Sequence, residues 1–326
     1  MILVTGAAGF IGSNLVADLN EAGRDDIIAC DWLSDDGRWE NLSKRSFHDL
    51  LLPEQLEGVL ASAKGKRIDA VLHMGAISAT TATDGNLVLK RNYQYTKMLW
   101  EWCAANGATF VYASSAATYG DRTDHFDDRL DYEGLRQLRP LNLYGWSKHM
   151  FDLFAVKSTD PAPPHWYGLK FFNVFGPNEY HKESMRSVVC KLAPDILLGK
   201  PAKLFKSHRP DFSDGGQTRD FIFVYDVCKA VLHFARGEAE SGIYNVGTGQ
   251  ARSFADLVSA AYRAAGHEPN IEYIDMPMEL RSRYQYFTEA STDKLRSAGY
   301  NLPFLKLEEA VEIYVKQHLA AEDRYR

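Results

Sequence analysis

The chain has 326 residues, more than one hydrophobic core usually organises, so two lobes are expected. Composition is that of an ordinary globular protein, 45% hydrophobic and 25% charged, with a mean hydropathy of −0.31. A net charge of −6 and a pI near 5.9 argue against a nucleic-acid footprint or attachment to an anionic membrane surface.

The opening Met-Ile-Leu-Val-Thr-Gly reads as a strand entering a turn and lacks the basic region and long apolar core of a signal peptide. ILVTG (2–6) is a buried strand, FIGSNLVADLNEAG (10–23) a helix closed by Gly23, and DIIACD (26–31) a second strand. Further strands follow at AVLHMGA (70–76) and TFVYASS (109–115), separated by the helical stretch 87–107, and then YGLKFFNVFG (167–176). Near-continuous apolar strands alternating with helices predict an α/β fold, a parallel sheet covered on both faces.

The pattern changes after residue 176. PDFSDGGQT (210–218) is a polar, Gly-rich loop, and DFIFVYDVCKAVLHFAR (220–236) with GIYNVGTG (242–249) reads as a helix and strand rejoining the sheet. A helix at FADLVSAAYRAAG, a short strand at IEYIDMP and a helix at LEEAVEIYVKQHLA complete the chain. The expected division is 1–176 with 220–249 as one lobe, and 177–219 with 250–326 as a smaller, discontinuous second lobe. No window approaches 18 uncharged apolar residues. The four cysteines and ten histidines are dispersed without metal-ligand or CxxC spacing, so no metal is expected and the protein reads as reduced and cytoplasmic.

Two constellations carry chemistry. Gly6, Gly9 and Gly12 lie between the first strand and the first helix, a GxxGxxG spacing that permits a tight turn, close backbone approach to a pyrophosphate and close helix–strand packing. At the end of the second strand, Asp31 suits a ribose diol and favours NAD, whereas Arg38 could neutralise a 2′-phosphate and favours NADP; the residues alone leave these in conflict. The second constellation is Ser115 at a strand end with Tyr144 and Lys148, four residues apart and so on one helix face. A phenol is a poor base at neutral pH; a neighbouring ammonium is expected to lower its pKa, and Ser115 can hydrogen-bond the reacting oxygen.

TGAAGFIG, SSAATYG and YGWSK resemble the extended short-chain dehydrogenase/reductase family over essentially the whole chain. The resemblance implies a Rossmann-type doubly wound sheet with a smaller α/β lobe for a nucleotide sugar, and oxidation of a sugar hydroxyl by bound NAD(P). Ala116, Ala117 and Thr118 stand where the family's dehydratases carry an acidic pair, which counts against elimination. Within the family, HMGAISATT (73–81), YASSAATYGDRT (112–123), PLNLYGWSK (140–148), FFNVFGPNEYHKESM (171–185) and RYQYFTEA (283–290) are similar to the ADP-heptose 6-epimerases of lipopolysaccharide core synthesis. That likeness implies NADP as cofactor, an ADP-heptose substrate, a homo-oligomer and a second acid/base at Lys182. It assigns the cofactor to Phe10, Ile11, Asp31, Trp32, Arg38, Gly75, Ala76, Ile77, Ser78, Asn92 and Val174 with the loop glycines, Tyr144, Lys148 and Lys182. The sugar nucleotide falls to Ser115, Asn173, Ser184, Phe205, Arg219 and Tyr284. Departures are Lys191 at a family histidine, Trp32 after the acid, and longer stretches at 130–140 and 206–218. The alternatives are another nucleotide-sugar epimerase, such as a UDP-sugar 4-epimerase, or a non-catalytic NADP-binding protein.

Overall fold

A computed structural model describes residues 1–120, 122, 126–158, 161–281 and 284–326, with the backbone alone for residues 279 and 280. Asp121 and Thr123 of the YASSAATYGDRT segment and Arg283 of the RYQYFTEA segment lie outside the described residues. Twelve strands occur in chain order among the described residues: β1 (Ile2–Thr5), β2 (Ile27–Cys30), β3 (Asp49–Leu51), β4 (Ala70–His73), β5 (Thr109–Ser115), β6 (Trp166–Phe171), β7 (Asn173–Phe175), β8 (Ala202–Phe205), β9 (Thr218–Phe223), β10 (Gly242–Val246), β11 (Ala251–Ser253) and β12 (Ile271–Ile274).

Seven strands form the central sheet in the order β10-β6-β5-β4-β1-β2-β3, and every neighbouring pair is parallel. Parallel strands need crossovers, and the helices that supply them cover both faces, which is why the strands are apolar at consecutive positions. Successive side chains leave a strand on opposite sides. Val4, Ala29, Leu72 and Val111 pack with Val16 of the helix Phe10–Glu21 and Val227 of the helix Val224–Phe234. Leu3, Ile28, Val71 and Phe110 pack on the other side with Leu99 and Trp100 of the helix Tyr95–Asn106. The doubly wound Rossmann arrangement expected from the sequence is present.

A second body of structure surrounds a separate apolar cluster containing Phe175, Val189, Leu204, Phe223, Leu257 and Val311. Its strands are β7, β9 and β11 in one sheet and the parallel pair β8 and β12 in another. Helices Val188–Ile196, Phe254–Ala264 and Leu307–Tyr314 enclose them.

Three readings of the sequence need correction. The apolar run 167–176 is two strands: Phe172 donates its N–H to Val246 (3.1 Å) and ends the central sheet, and Asn173 then pairs with Phe221 in the small sheet. The segment 220–236 begins as β9 and becomes helical only at Val224. The stretch 87–107 is helical but carries a π-helical segment at Leu89–Gln94. The edge strand β3 and the helix Pro53–Leu60 were not anticipated.

Candidate active site

The turn after β1 is held by backbone geometry. Gly6 has φ +67°, and a Cβ there would sit 2.5 Å from the Gly75 nitrogen, so β1 and β4 approach at a point only glycine allows. A Cβ on Gly12 would collide with the Gly6 carbonyl oxygen, so the helix Phe10–Glu21 lies directly on the turn. Its N-cap is Gly9, with no side chain capping the first turn, which leaves that end to a ligand. The cradle therefore fits the diphosphate of a dinucleotide.

Asp31 follows β2, is nearly buried, and accepts the Ala8 N–H at 2.9 Å. Burial pushes its carboxyl pKa up, opposed by Arg38 and by backbone N–H donors. Arg38 lies 4.0 Å from Asp31, but its guanidinium is engaged by Asp36, with Nε 2.9 and 3.0 Å from the two carboxylate oxygens. Asp36 was absent from the sequence reading; its spacing two residues from Arg38 was the available signal. Trp32 donates its indole N–H to Glu54 (2.7 Å) and lies beneath the Arg91 guanidinium, 4.1 Å from the ring centre.

Asn92 sits in the π-helical segment Leu89–Gln94, the kind of local bulge that proteins place at functional sites. Its amide pairs both ways with the Ile77 backbone, at 2.8 and 2.9 Å, fixing the Gly75–Ser78 turn. It also donates to Ser147 (2.9 Å), whose hydroxyl donates to the Tyr144 carbonyl (2.7 Å). A buried chain continues to β1: Thr96 donates to the Asn92 carbonyl (2.7 Å), and His73 bridges Thr96 (2.8 Å) and Thr5 (2.6 Å). Because Thr96 spends its proton on Asn92, Nε2 of His73 carries the ring proton and Nδ1 accepts from Thr5. Burial, and secondarily the Lys148 charge, holds this imidazole neutral.

Tyr144 and Lys148 lie on the helix Leu143–Lys157, which begins where it does because Asn142 accepts the Gly145 N–H at 2.9 Å. Tyr144 is therefore in the first turn, where the helix dipole favours an anion. The half-buried phenol lies near Ser115 at the end of β5, whose hydroxyl accepts the Ala117 N–H at 3.1 Å. The expectation of a depressed phenol pKa is corrected. Burial pushes it up, the Ser115 side chain only partly offsets this, and Asp152 adds to the rise. Lys148, 2% exposed, pays for its burial with a pKa lowered to about 8, Asp152 acting in the opposite sense.

Beneath this group lies a buried ion pair that the sequence reading missed. Lys170 of β6 reaches Asp152 and Thr118, both at 2.5 Å, while Tyr112 (2.9 Å) and Ser114 (2.8 Å) donate to the same carboxylate. Thr118 in turn donates to the Ser115 carbonyl at 2.8 Å. A lone lysine inside the apolar strand YGLKFF was the visible sign, since such a cation is rarely buried without a partner.

Lys182 belongs to the short 3-10 turn Tyr180–Met185, and its ammonium lies 5.1 Å from the centre of the Phe10 ring, at the start of the glycine-loop helix. Burial pushes its pKa down. Ser184 is exposed on the same turn, and its carbonyl accepts from Lys191 at 3.4 Å. Arg219, Phe205 and Tyr284 gather elsewhere: the Arg219 guanidinium lies 5.4 Å from the Tyr284 ring, and Phe205 meets Tyr284 edge-on at 6.4 Å. Asn173 is exposed at the start of β7, its amide oxygen 3.4 Å from the Thr288 hydroxyl, and Val174 packs against the central core. No group of His, Cys, Asp and Glu among the described residues could hold a metal ion.

A parallel sheet with a glycine cradle at the end of β1 and a Ser-Tyr-Lys set on β5 and the helix Leu143–Lys157 is the arrangement of a nicotinamide-dependent oxidoreductase-type site. The chain belongs to the NAD dependent epimerase/dehydratase family, whose model matches residues 2–247. Its relatives specify a narrower group. It is 48% identical over 326 residues to ADP-L-glycero-D-manno-heptose-6-epimerase of Nitratidesulfovibrio vulgaris (strain DP4), with 100% of both chains covered. Among solved structures it resembles the Helicobacter pylori ADP-L-glycero-D-manno-heptose-6-epimerase, with a TM-score of 0.82, 30% identity, and 98% and 96% of the two chains covered. It is also similar to the Thermus thermophilus UDP-glucose 4-epimerase complex with NAD, with a TM-score of 0.75, 27% identity, and 98% and 99% covered.

Proposed function

We propose that the protein interconverts ADP-D-glycero-D-manno-heptose and ADP-L-glycero-D-manno-heptose at C6″, for lipopolysaccharide core synthesis. The observation that carries this reading is the place of Lys182, whose ammonium lies over Phe10 at the start of the glycine-loop helix; in this reading it is a second proton-handling group beside Tyr144. A nicotinamide dinucleotide held at the Gly6–Gly12 cradle would supply reversible hydride chemistry at C6″, so no outside reductant would be consumed. The carbinol oxygen occupies different places in the two half-reactions, and Tyr144 and Lys182 each serve one of them as proton acceptor and donor. Ser115 orients the oxygen at Tyr144, and Lys148 supplies the cation that favours phenolate.

In this reading residues 1–176 with 220–249 hold the cofactor, and 177–219 with 250–326 hold the sugar nucleotide. Arg219 binds the diphosphate through its planar fork, with Phe205, Tyr284, Asn173 and Ser184 completing the pocket. The enzyme works as a homo-oligomer in the cytoplasm; no helix among the described residues is long and apolar enough to cross a membrane. Incubation with ADP-D-glycero-D-manno-heptose should yield the L-glycero epimer by NMR. Turnover of UDP-galactose with the heptose untouched would instead identify a UDP-sugar 4-epimerase.

The cofactor of this reading is NADP, its 2′-phosphate received by Arg38, although NAD remains compatible with Asp31. Asp36 competes for the same guanidinium. Asp36→Asn should therefore tighten NADP binding roughly 5–10-fold, about 1–1.4 kcal/mol, and leave NAD affinity unchanged. Titration calorimetry on cofactor-stripped protein measures both. Equal changes for the two cofactors would mean that Arg38 does not receive the phosphate.

A further inference from the structure

The turn that carries Lys182 is an improbable conformation. Asn178 has φ +72°, and Glu183, directly after Lys182, has φ +47° and ψ −118°. Non-glycine residues in such regions persist only where their surroundings over-determine them. Part of that determination comes from the glycine-loop side. Asn14 donates to the Pro177 carbonyl (3.0 Å), Asn41 to the Asn178 carbonyl (3.1 Å), and Asn178 to Ser13 (3.0 Å). Buried Glu179 accepts from Ser187 (2.7 Å) and Tyr314 (3.0 Å).

The rest comes from a segment remote in sequence, residues 323–326. The backbone N–H of Arg326 donates to the Asn178 side-chain oxygen at 3.0 Å, on the residue with positive φ. Its guanidinium is anchored on the helix Phe10–Glu21 by Asp18, by Glu21 (2.9 Å) and by Asn14 (3.4 Å), and it stacks 4.1 Å from the Tyr225 ring. Tyr180, two residues before Lys182, donates its hydroxyl to the Arg324 carbonyl (2.8 Å). The same ring lies under the Arg324 guanidinium at 4.4 Å and against the Tyr325 ring at 5.2 Å. Lys44 ties the far side of the segment through Asp323 (2.5 Å) and the Tyr325 carbonyl (2.6 Å). A polar cavity of about 130 Å³, lined in part by Asp36, Asn41, His181 and Tyr325, separates this strap from the Arg38 end of the cofactor cradle.

We infer that residues 324–326 are positioning residues for Lys182: they strap the 178–183 turn onto the glycine-loop helix and thereby hold the Lys182 ammonium at Phe10. The inference rests on the reading of Lys182 as a proton-handling group. Among the described residues the strap touches none assigned to the substrate or to the Ser115, Tyr144 and Lys148 set, so it should act on one proton-transfer site and not on sugar binding.

The test is a double-mutant cycle with Arg326→Ala, Tyr180→Phe and Lys182→Met, read together with amide hydrogen exchange. Arg326→Ala should lower kcat for ADP-heptose roughly 10–100-fold with KM within about twofold, and Tyr180→Phe should do the same more weakly, as expected of a misplaced acid/base. Combining either with Lys182→Met should be no slower than Lys182→Met alone. Exchange in the 177–187 peptide, measured without substrate, should rise about tenfold in Arg326→Ala while β4 and β5 peptides stay protected. Multiplicative losses in the double variants, or unchanged exchange in 177–187, would overturn the inference. Full activity in Lys182→Met would instead remove the two-base reading beneath it, and the exchange result would then report the strap separately.

Discussion

Tyr144→Phe should lower the rate of epimerisation by about 10²–10⁴-fold with no measurable change in thermal stability. The substitution removes one hydroxyl from a half-buried ring and leaves the Asn142 cap and the helix intact. The size of the loss follows from what the phenol has to overcome. Burial raises its pKa, so phenolate needs stabilising, which in the proposed mechanism comes from the Lys148 ammonium and the helix N-terminus. Lys148 is an ammonium below about 8 and neutral above. The part of the activity that depends on this cation should therefore be lost as pH rises through that value, while protonation of Tyr144 limits the acid side. A pH profile of kcat that climbs steadily past 9 would show that Tyr144 ionises without the help of Lys148. A non-catalytic dinucleotide-binding protein would show neither effect, and Tyr144→Phe would leave its cofactor affinity unchanged.

Lys170→Met should cost about 3–5 kcal/mol of stability, with a melting point lower by roughly 5–15 °C. Methionine matches the length of the side chain, so the loss is electrostatic rather than a cavity. Asp152, fully buried, would keep the donors Tyr112 and Ser114 but lose its only described cationic partner within salt-bridge range. Thr118, which bonds the Ser115 carbonyl, would lose the same lysine. Denaturant unfolding with an unchanged m-value would assign the loss to the folded state. A stability change below about 1 kcal/mol would mean that the pair is offset by its own desolvation, as buried ion pairs can be.

The parts of this protein legible in its sequence are those set by local pattern. β5 spans 109–115 as expected, and the glycine spacing marks a strand–turn–helix whose close contacts only glycine permits. Ser115 lies at the end of β5 as expected, and Tyr144 stands in the first turn of an asparagine-capped helix. What escaped the reading depends on partners far along the chain. The run 167–176 looks like one strand until Phe221, some fifty residues later, claims its second half. The pairing of Lys170 with Asp152 decides local charge, yet no spacing rule specifies it; Asp36, only two residues from Arg38, was the one nearby partner that the sequence did offer. The raised phenol pKa likewise reflects burial, which composition and motif do not reveal. The strap on Asn178 and Tyr180 comes from residues at the far end of the chain, where no motif drew the eye.

The π-helical segment Leu89–Gln94 has one further consequence, for insertions and deletions. A π turn is an α turn with one residue too many, and each helical residue advances the face by about 100°. A chain shorter by one residue between Val88 and Tyr95 would relax into an ordinary α-helix, with Asn92 swung away from Ile77 and Ser147. Every side chain type could be kept and the connection between the Gly75–Ser78 turn and the Tyr144 helix would still be broken. At this point in the molecule the number of residues carries information that their identities do not.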